Sequence, residues 1–479
     1  MLPINQLLFV VCLLVAFSVS AQTPAPFIPL PTSAAQKQAF QLQTATRYEQ
    51  DLAHLSGPYK KELSAIYKER HSLLEDRLSK DEVLCNEETQ RYLTDLALPI
   101  FKNNPALRQE DVRLYFSRSF YANAESLGEG TILFNIGLFH RLQNEAQAAF
   151  VICHELAHYF LNHSADNIES YVKTVHSDAF QKELKGIQKS GYRQNSQLEA
   201  LTKTLTFRSR RHSRSSEQAA DSMALELLKN TPYDVAEALT CLQLLDSADR
   251  DKYNTPLALE QQFQFAAFPF KTRWLQSDEL QFIKTENAKI AEEADSLKTH
   301  PDCAKRIAAL TARVEQYKKP DAKKFLVSTQ LFQNLIQQFD FEIIEHCYQS
   351  KQTSRALYFS LQLLPHYPNN AYLAATIGQC LNAFYTAQKA HELGTLTELP
   401  NAAFDANYNS LLQLIQNLRL PEISALAYHF LKERENNFNS DERFVNALIQ
   451  SKLNFGKPEE AEHWKARYQQ TFSKPHINQ

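Results

Sequence analysis

The stretch VICHELAHYFLNHSADNIE, residues 151–169, puts His154, Glu155, His158 and His163 within ten positions. On an α-helix, residues four apart lie one above the other, so His154 and His158 present two imidazoles to one point. Glu155 sits about a third of a turn away and reaches a water held at that point. Zinc favours tetrahedral nitrogen, sulfur or oxygen donors, and HExxH is the spacing that joins two such nitrogens to a carboxylate base. Zinc brings the pKa of a bound water down to ~7, where Glu155 can take its proton and a polarised peptide carbonyl is open to attack. The competing reading is a helix with ordinary polar histidines, and a third metal ligand decides between the two.

Three sources of that ligand can be weighed. An HExxHxxGxxH pattern would need glycine and histidine where Leu161 and Ser164 stand, so it fails. His163 lies five residues past His158, about 140° round one helix, and so reads as a structural histidine near the helix end. A glutamate on a later helix is the third source. Among Glu169, Glu183, Glu199, Glu217 and Glu226, only Glu217 has an aspartate four residues on, Asp221. That spacing sets both carboxylates on one helical face. Glu217 can then bind zinc while Asp221 accepts a hydrogen bond from the far nitrogen of a ligand histidine, fixing its tautomer. The expected centre is one zinc ion per chain, held by His154, His158 and Glu217.

The elements that must hold these residues are mostly helical. The chain has 479 residues, 44% of them hydrophobic and only nine of them glycine. Three of the nine, Gly128, Gly130 and Gly137, fall within ten positions, which marks a non-helical patch. VRLYFSRS alternates like a strand, and a glycine turn then leads into a second strand at 131–135. The net charge of -3 predicts no bulk attraction to nucleic acid, and the basic run Arg208, Arg210, Arg211, Arg214 reads as a solvated linker. Six cysteines follow the first, none in a CxxC pair; they read as core residues.

Leu7 to Val19 is an apolar run ahead of Val19-Ser20-Ala21, which reads as a secretory signal peptide over 1–21. Residues 22–36, rich in proline, read as a flexible linker, and 37–320 as the metallopeptidase domain. In the last part of the chain, helical segments centred on Ala356, Ala390, Ala425 and Ala461 recur at steps of 34, 35 and 36 residues. That period suggests tetratricopeptide-like repeats over 321–479, which present concave surfaces to partner proteins. The expected fold class is mainly α with a small β-sheet, a zincin-like α+β domain followed by an all-α repeat domain.

The pieces NAESLGEGTILFNIGLF, EAQAAFVICHELAHYFLNH, SRSSEQAAD and THPDCAKRI, in this order, resemble the HtpX-type zinc metallopeptidases, a family that includes the CAAX prenyl endopeptidases. The resemblance implies His154, His158 and Glu217 as ligands, Glu155 as general base and acid, and Asp221 as the partner of a ligand histidine. It also implies that Thr131, Ile132, Leu133, Phe134 and Asn135 form an edge strand beside the cleft, pairing with extended substrate through its backbone. His300 and Arg306 are implied near the active site. There His300 would stabilise an oxyanion or cap the metal in a latent state, and Arg306 would fix that loop or bind substrate; surface charges on a helix-initiating loop are the alternative. Several members carry transmembrane helices, whereas this chain has no long apolar run after its leader. The layout is closest to the BepA type, a periplasmic peptidase with C-terminal tetratricopeptide repeats.

The expectation is therefore a secreted, periplasmic or extracellular, zinc metalloendopeptidase. Its substrates would be polypeptides such as misfolded envelope proteins, with a protein partner on the repeats, no nucleic acid and no membrane span in the mature chain. The alternative is a chaperone-like binding protein with a latent zinc site. A third reading, a scaffold with an accidental HExxH, predicts no metal at all.

Overall fold

The computed structural model describes residues 27–189, 214–247, 252, 256–276, 303–401 and 404–472. The expected signal peptide, His300, Arg208, Arg210 and Arg211 lie outside the described residues.

Two helices open the described chain, α1 (Ala34–His54) and α2 (Lys60–Ser79). Helix α3 (Glu87–Asn103) starts where the Asn86 side chain accepts the amide hydrogen of Thr89, with Glu87 and Glu88 in the first turn, a favourable sign at a helix N-terminus. Three strands follow: β1 (Arg113–Ser117), β2 (Ala124–Ser126) and β3 (Thr131–Asn135). Their order in the sheet is β1-β3-β2. β3 runs parallel to β1, with Tyr115 opposite Leu133, and antiparallel to β2, with Glu125 opposite Leu133.

This topology corrects the expectation for Thr131–Asn135. That strand is the centre of the sheet, not its edge, and all five residues are buried. The reason is the short hairpin partner β2, whose three residues carry too little periodicity to register as a strand. Its outer edge pairs with no strand among the described residues. The tight turn between β2 and β3 needs Gly128 and Gly130, both at positive φ (82° and 93°). A Cβ on Gly128 would collide with Ser164, and one on Gly130 with the carbonyl of Asp111.

Both faces of the sheet are covered. Leu114, Phe116, Ile132 and Phe134 belong to the main core, while Tyr115 and Leu133 meet Phe40, Leu74 and Leu78 of the α1–α2 hairpin in a separate cluster. A short α4 (Ile136–Phe139) leads to α5 (Glu145–Phe160). Every residue of α5 from Glu145 to Ala157 is buried, as befits a helix that is apolar nearly all round. Then come α6 (His163–Val175), α7 (Asp178–Lys189), α8 over 214–229, α9 (Glu237–Asp246), the single turn α10 (Leu259–Gln262) and α11 (Cys303–Tyr317). Cys85, Cys153, Cys241, Cys303, Cys347 and Cys380 are all buried, and no disulfide joins any of them among the described residues.

The rest is helical: α12 (Thr329–Gln349), α13 (Thr353–Leu363), α14 (Ala371–Lys389), α15 (Ala406–Asn417), α16 (Leu420–Lys432), α17 (Glu442–Asn454) and α18 (Pro458–Phe472). The mainly α fold with a small sheet and a following all-helical region is as expected. Of the four alanines that set the expected 34-residue repeat, Ala356, Ala425 and Ala461 are buried on α13, α16 and α18. Ala390 breaks it, because it is the exposed C-cap of α14.

The helical region does not stand apart from the rest. Phe339 of α12 packs against Phe116 and Phe139, with ring centroids 5.0 and 5.5 Å away. The expected linker 22–36 is packed from Phe27 onward. Phe27 stacks on Phe341 at 5.3 Å, and the backbone amide of Leu30 donates to Glu342. The boundary near 320 is also bridged. Glu145, fully buried at the start of α5, accepts the amide hydrogens of Leu326, Val327 and Ser328 at 2.6, 2.8 and 2.9 Å and the hydroxyl of Tyr92 at 3.0 Å. Glu145→Ala strands these donors, each costing about 1–3 kcal/mol when buried without a partner. We expect a loss of at least about 3 kcal/mol in urea unfolding; a loss below about 1 kcal/mol would show that water replaces the carboxylate.

Candidate metal centre

Helix α5 begins with Asn144 accepting the amide hydrogen of Gln147 at 3.0 Å, and it runs unbroken through His154 and His158. The two imidazoles project to one side, ring centroids 4.7 Å apart and Nε2 atoms 3.1 Å apart. Helix α8 faces them with Glu217 and Asp221 one turn apart. Glu217 Oε2 lies 3.5 Å from His154 Nε2, and Oε1 lies 3.3 Å from His158 Nε2. Among the described residues, His154, His158 and Glu217 form the one group of three donors close enough to hold a metal ion, their ligand atoms all within 4.8 Å of one another.

These distances can be tested against the chemistry of zinc. Bonds of about 2.0–2.1 Å in a tetrahedron set donor atoms ~3.3 Å apart. The three closest separations here, 3.1, 3.3 and 3.5 Å, are edges of that size. Two nitrogen lone pairs and a carboxylate oxygen also repel at such range unless a metal ion or a ring hydrogen lies among them. The donor set therefore fits zinc.

Asp221 stands behind His154, with Oδ1 3.0 Å from Nδ1. This contact puts the ring hydrogen on Nδ1 and leaves Nε2 as the donor. Burial disfavours a charged imidazole, but the Asp221 and Glu217 carboxylates outweigh it and push His154 up to about 10. The negative potential that holds a proton on this ring equally favours a cation, and a metal ion competes with the proton there. Burial would raise Asp221, yet its hydrogen bonds to Arg306 and His154 keep its carboxyl below the usual range.

Arg306, on the first turn of α11, is buried and points inward. Nε and one terminal nitrogen donate to Asp221 at 2.6 and 2.7 Å, and the other terminal nitrogen lies 3.2 Å from Glu217. The surface-charge alternative does not describe it: its planar fork is matched to the two carboxylates of α8. Glu155 is buried beside His154 on α5 and is not one of the three donors. His163 is outside the donor group as well, but for a different reason from the one expected. Helix α5 ends at Phe160, Asn162 takes a left-handed conformation (φ 55°), and His163 opens the new helix α6. Arg214, expected in a solvated linker, is instead the exposed first residue of α8.

β2 is the strand that packs against α5. It was missed in the sequence, although two short runs joined by a turn containing glycine are a hairpin signal.

A family model, peptidase family M48, matches residues 86–314. Over these residues the chain belongs to peptidase family M48. The matched segment opens at the N-cap of α3 and closes within α11, so it holds the sheet, α5, α8 and Arg306. M48 peptidases are zinc-dependent metalloproteases, which bears out the metallopeptidase resemblance of the HExxH, ExxxD and flanking motifs. As an M48 peptidase the chain acts on polypeptides, and no helix among its described residues is long and apolar enough to cross a membrane. No curated protein matches the chain. The α1–α2 hairpin and the helical region from α12 onward lie outside the M48 match.

Proposed function

We propose that the chain is an exported zinc metalloendopeptidase that cleaves unfolded or misassembled polypeptides of the cell envelope, most simply in the periplasm. The observation that carries the reading is the convergence of His154, His158 and Glu217 within 4.8 Å. These three residues would hold one zinc ion, which supplies a Lewis acid that acidifies water and polarises a carbonyl. Glu155 takes the proton from the attacking water and returns it to the leaving amine. Asp221 holds the Nδ1 hydrogen of His154, and Arg306 holds Asp221.

An extended substrate would align along the outer edge of β2, in front of α5, by adding a strand to the sheet through backbone hydrogen bonds. Such a mode reads an unfolded chain rather than a particular side chain, in keeping with a quality-control role. The helical region would recruit a protein partner, in the BepA-type layout, with Ala356, Ala425 and Ala461 marking its tetratricopeptide-like faces. The apolar run from Leu7 to Val19 ahead of the small-residue site Val19-Ser20-Ala21 supports export.

The reading is tested by metal content and cleavage together. Purified wild type should carry close to one zinc per chain by elemental analysis and cleave an unfolded polypeptide. Glu217→Ala should fall well below one zinc per chain and lose cleavage. Wild type that binds zinc but never cleaves would favour a latent, chaperone-like protein; wild type without zinc would overturn the metal centre.

A further inference from the structure

His163 has no part in the centre described so far, yet its ring is seated against a ligand. After the left-handed turn at Asn162, a conformation asparagine tolerates better than most residues, His163 swings back toward α5. Its Nδ1 lies 3.0 Å from His158 Nδ1, with ring centroids 4.9 Å apart and planes at 75°. Two unprotonated ring nitrogens do not face each other at this distance, so one of them carries the hydrogen.

The other end of His158 says which. Its Nε2 faces His154 Nε2 at 3.1 Å and Glu217 at 3.3 Å, inside the donor group. A neutral imidazole that offers a lone pair from Nε2 must carry its hydrogen on Nδ1. His158 Nδ1–H therefore donates to His163 Nδ1, and His163 keeps its own hydrogen on Nε2. His154 is held in the same way, but by the carboxylate of Asp221 at 3.0 Å. The two ligand histidines thus lean on different supports from different elements: α8 behind His154, and the first residue of α6 behind His158.

We propose that His163 is a positioning residue of the metal centre, accepting the Nδ1 hydrogen of His158 and so fixing the tautomer and ring rotation that aim Nε2 at the metal. The inference rests on the assignment of His158 and Glu217 as ligands. It is tested with His163→Asn, which sets an amide oxygen close to the position of Nδ1, and with His163→Phe, which keeps a ring but accepts nothing. Zinc affinity is read by competition with a chromophoric chelator, and site geometry by the visible absorption of the cobalt(II)-loaded protein. His163→Phe is expected to weaken zinc binding ~10–100-fold and to alter the cobalt bands. His163→Asn is expected to stay within a few-fold of wild type with unchanged bands. If circular dichroism shows that His163→Phe does not fold, His163→Leu takes its place in the same comparison.

Zinc affinity and cobalt bands in His163→Phe equal to wild type would overturn the proposal. So would a His163→Asn variant as weak as His163→Phe, since the loss would then come from ring packing and not from the acceptor. Glu217→Ala is measured alongside: if it binds zinc like wild type, the ligand assignment itself has failed, whatever the His163 variants do.

Discussion

Glu155→Gln is expected to keep one zinc per chain and to lower peptidase turnover by ~10²–10⁴-fold, the range a positioned general base contributes. Glutamine has the shape of glutamate and loses only the capacity to take a proton. The surroundings favour a clean result. Glu155 lies in a helix whose residues are buried from Glu145 to Ala157, so the backbone has little room to shift. It is also not one of the three donor groups, so metal content should not follow activity. Glu217→Ala is the contrasting case, because metal and activity fall together there. The measurement is kcat/KM on an unfolded, internally quenched polypeptide, with zinc counted on the same sample. A Glu155→Gln rate close to wild type would assign the hydrolysis to a contaminant or to another base.

How far the centre could be read in the sequence depended on whether its geometry was local. His154 and His158 share one helix, so their spacing alone sets them together. Glu217 was legible because its companion Asp221 repeats the same one-turn rule on α8, and the structure brings both faces to within 3.5 Å of each other. Where tertiary placement decides, the pattern fell short. Thr131–Asn135 has the composition of a strand, but whether it lies at an edge depends on a three-residue partner, Ala124–Ser126, too short to show a period of two. His163 was placed by extending α5 through Asn162; one left-handed residue invalidates the 140° argument and turns the ring back onto His158. Ala390 satisfies the repeat spacing yet caps α14. Arg306 was placed near the site by the family resemblance alone; no spacing or periodicity marks it as buried, while its position across α8 makes it the counter-charge of Asp221 and Glu217.

That role gives Arg306→Met a large expected cost. The side chain is nearly isosteric, so packing is preserved and the charge is removed. Asp221 and Arg306 have side chains 2% and 3% exposed, and removing one member of such a buried pair costs about 3–5 kcal/mol because the other is left without compensation. Unfolding in urea should be followed in a chelator, so that bound metal does not stabilise one variant more than another. Asp221→Asn with Arg306→Met should lose less than the sum of the single changes, because the Asp221–Arg306 pair is then removed whole rather than broken. The acid limb gives an independent sign. Asp221 is held below its unfolded value, with Arg306 the foremost partner opposing burial. Its contribution is therefore present above the unfolded value of ~3.9 and is lost as pH falls through the lower folded value. Without Arg306, burial raises the carboxyl and the same loss begins at higher pH. The acid-unfolding midpoint of Arg306→Met, followed by circular dichroism at fixed ionic strength, should therefore lie above that of wild type. An unchanged midpoint together with a loss under about 1 kcal/mol would mean that Asp221 draws its compensation from His154 alone.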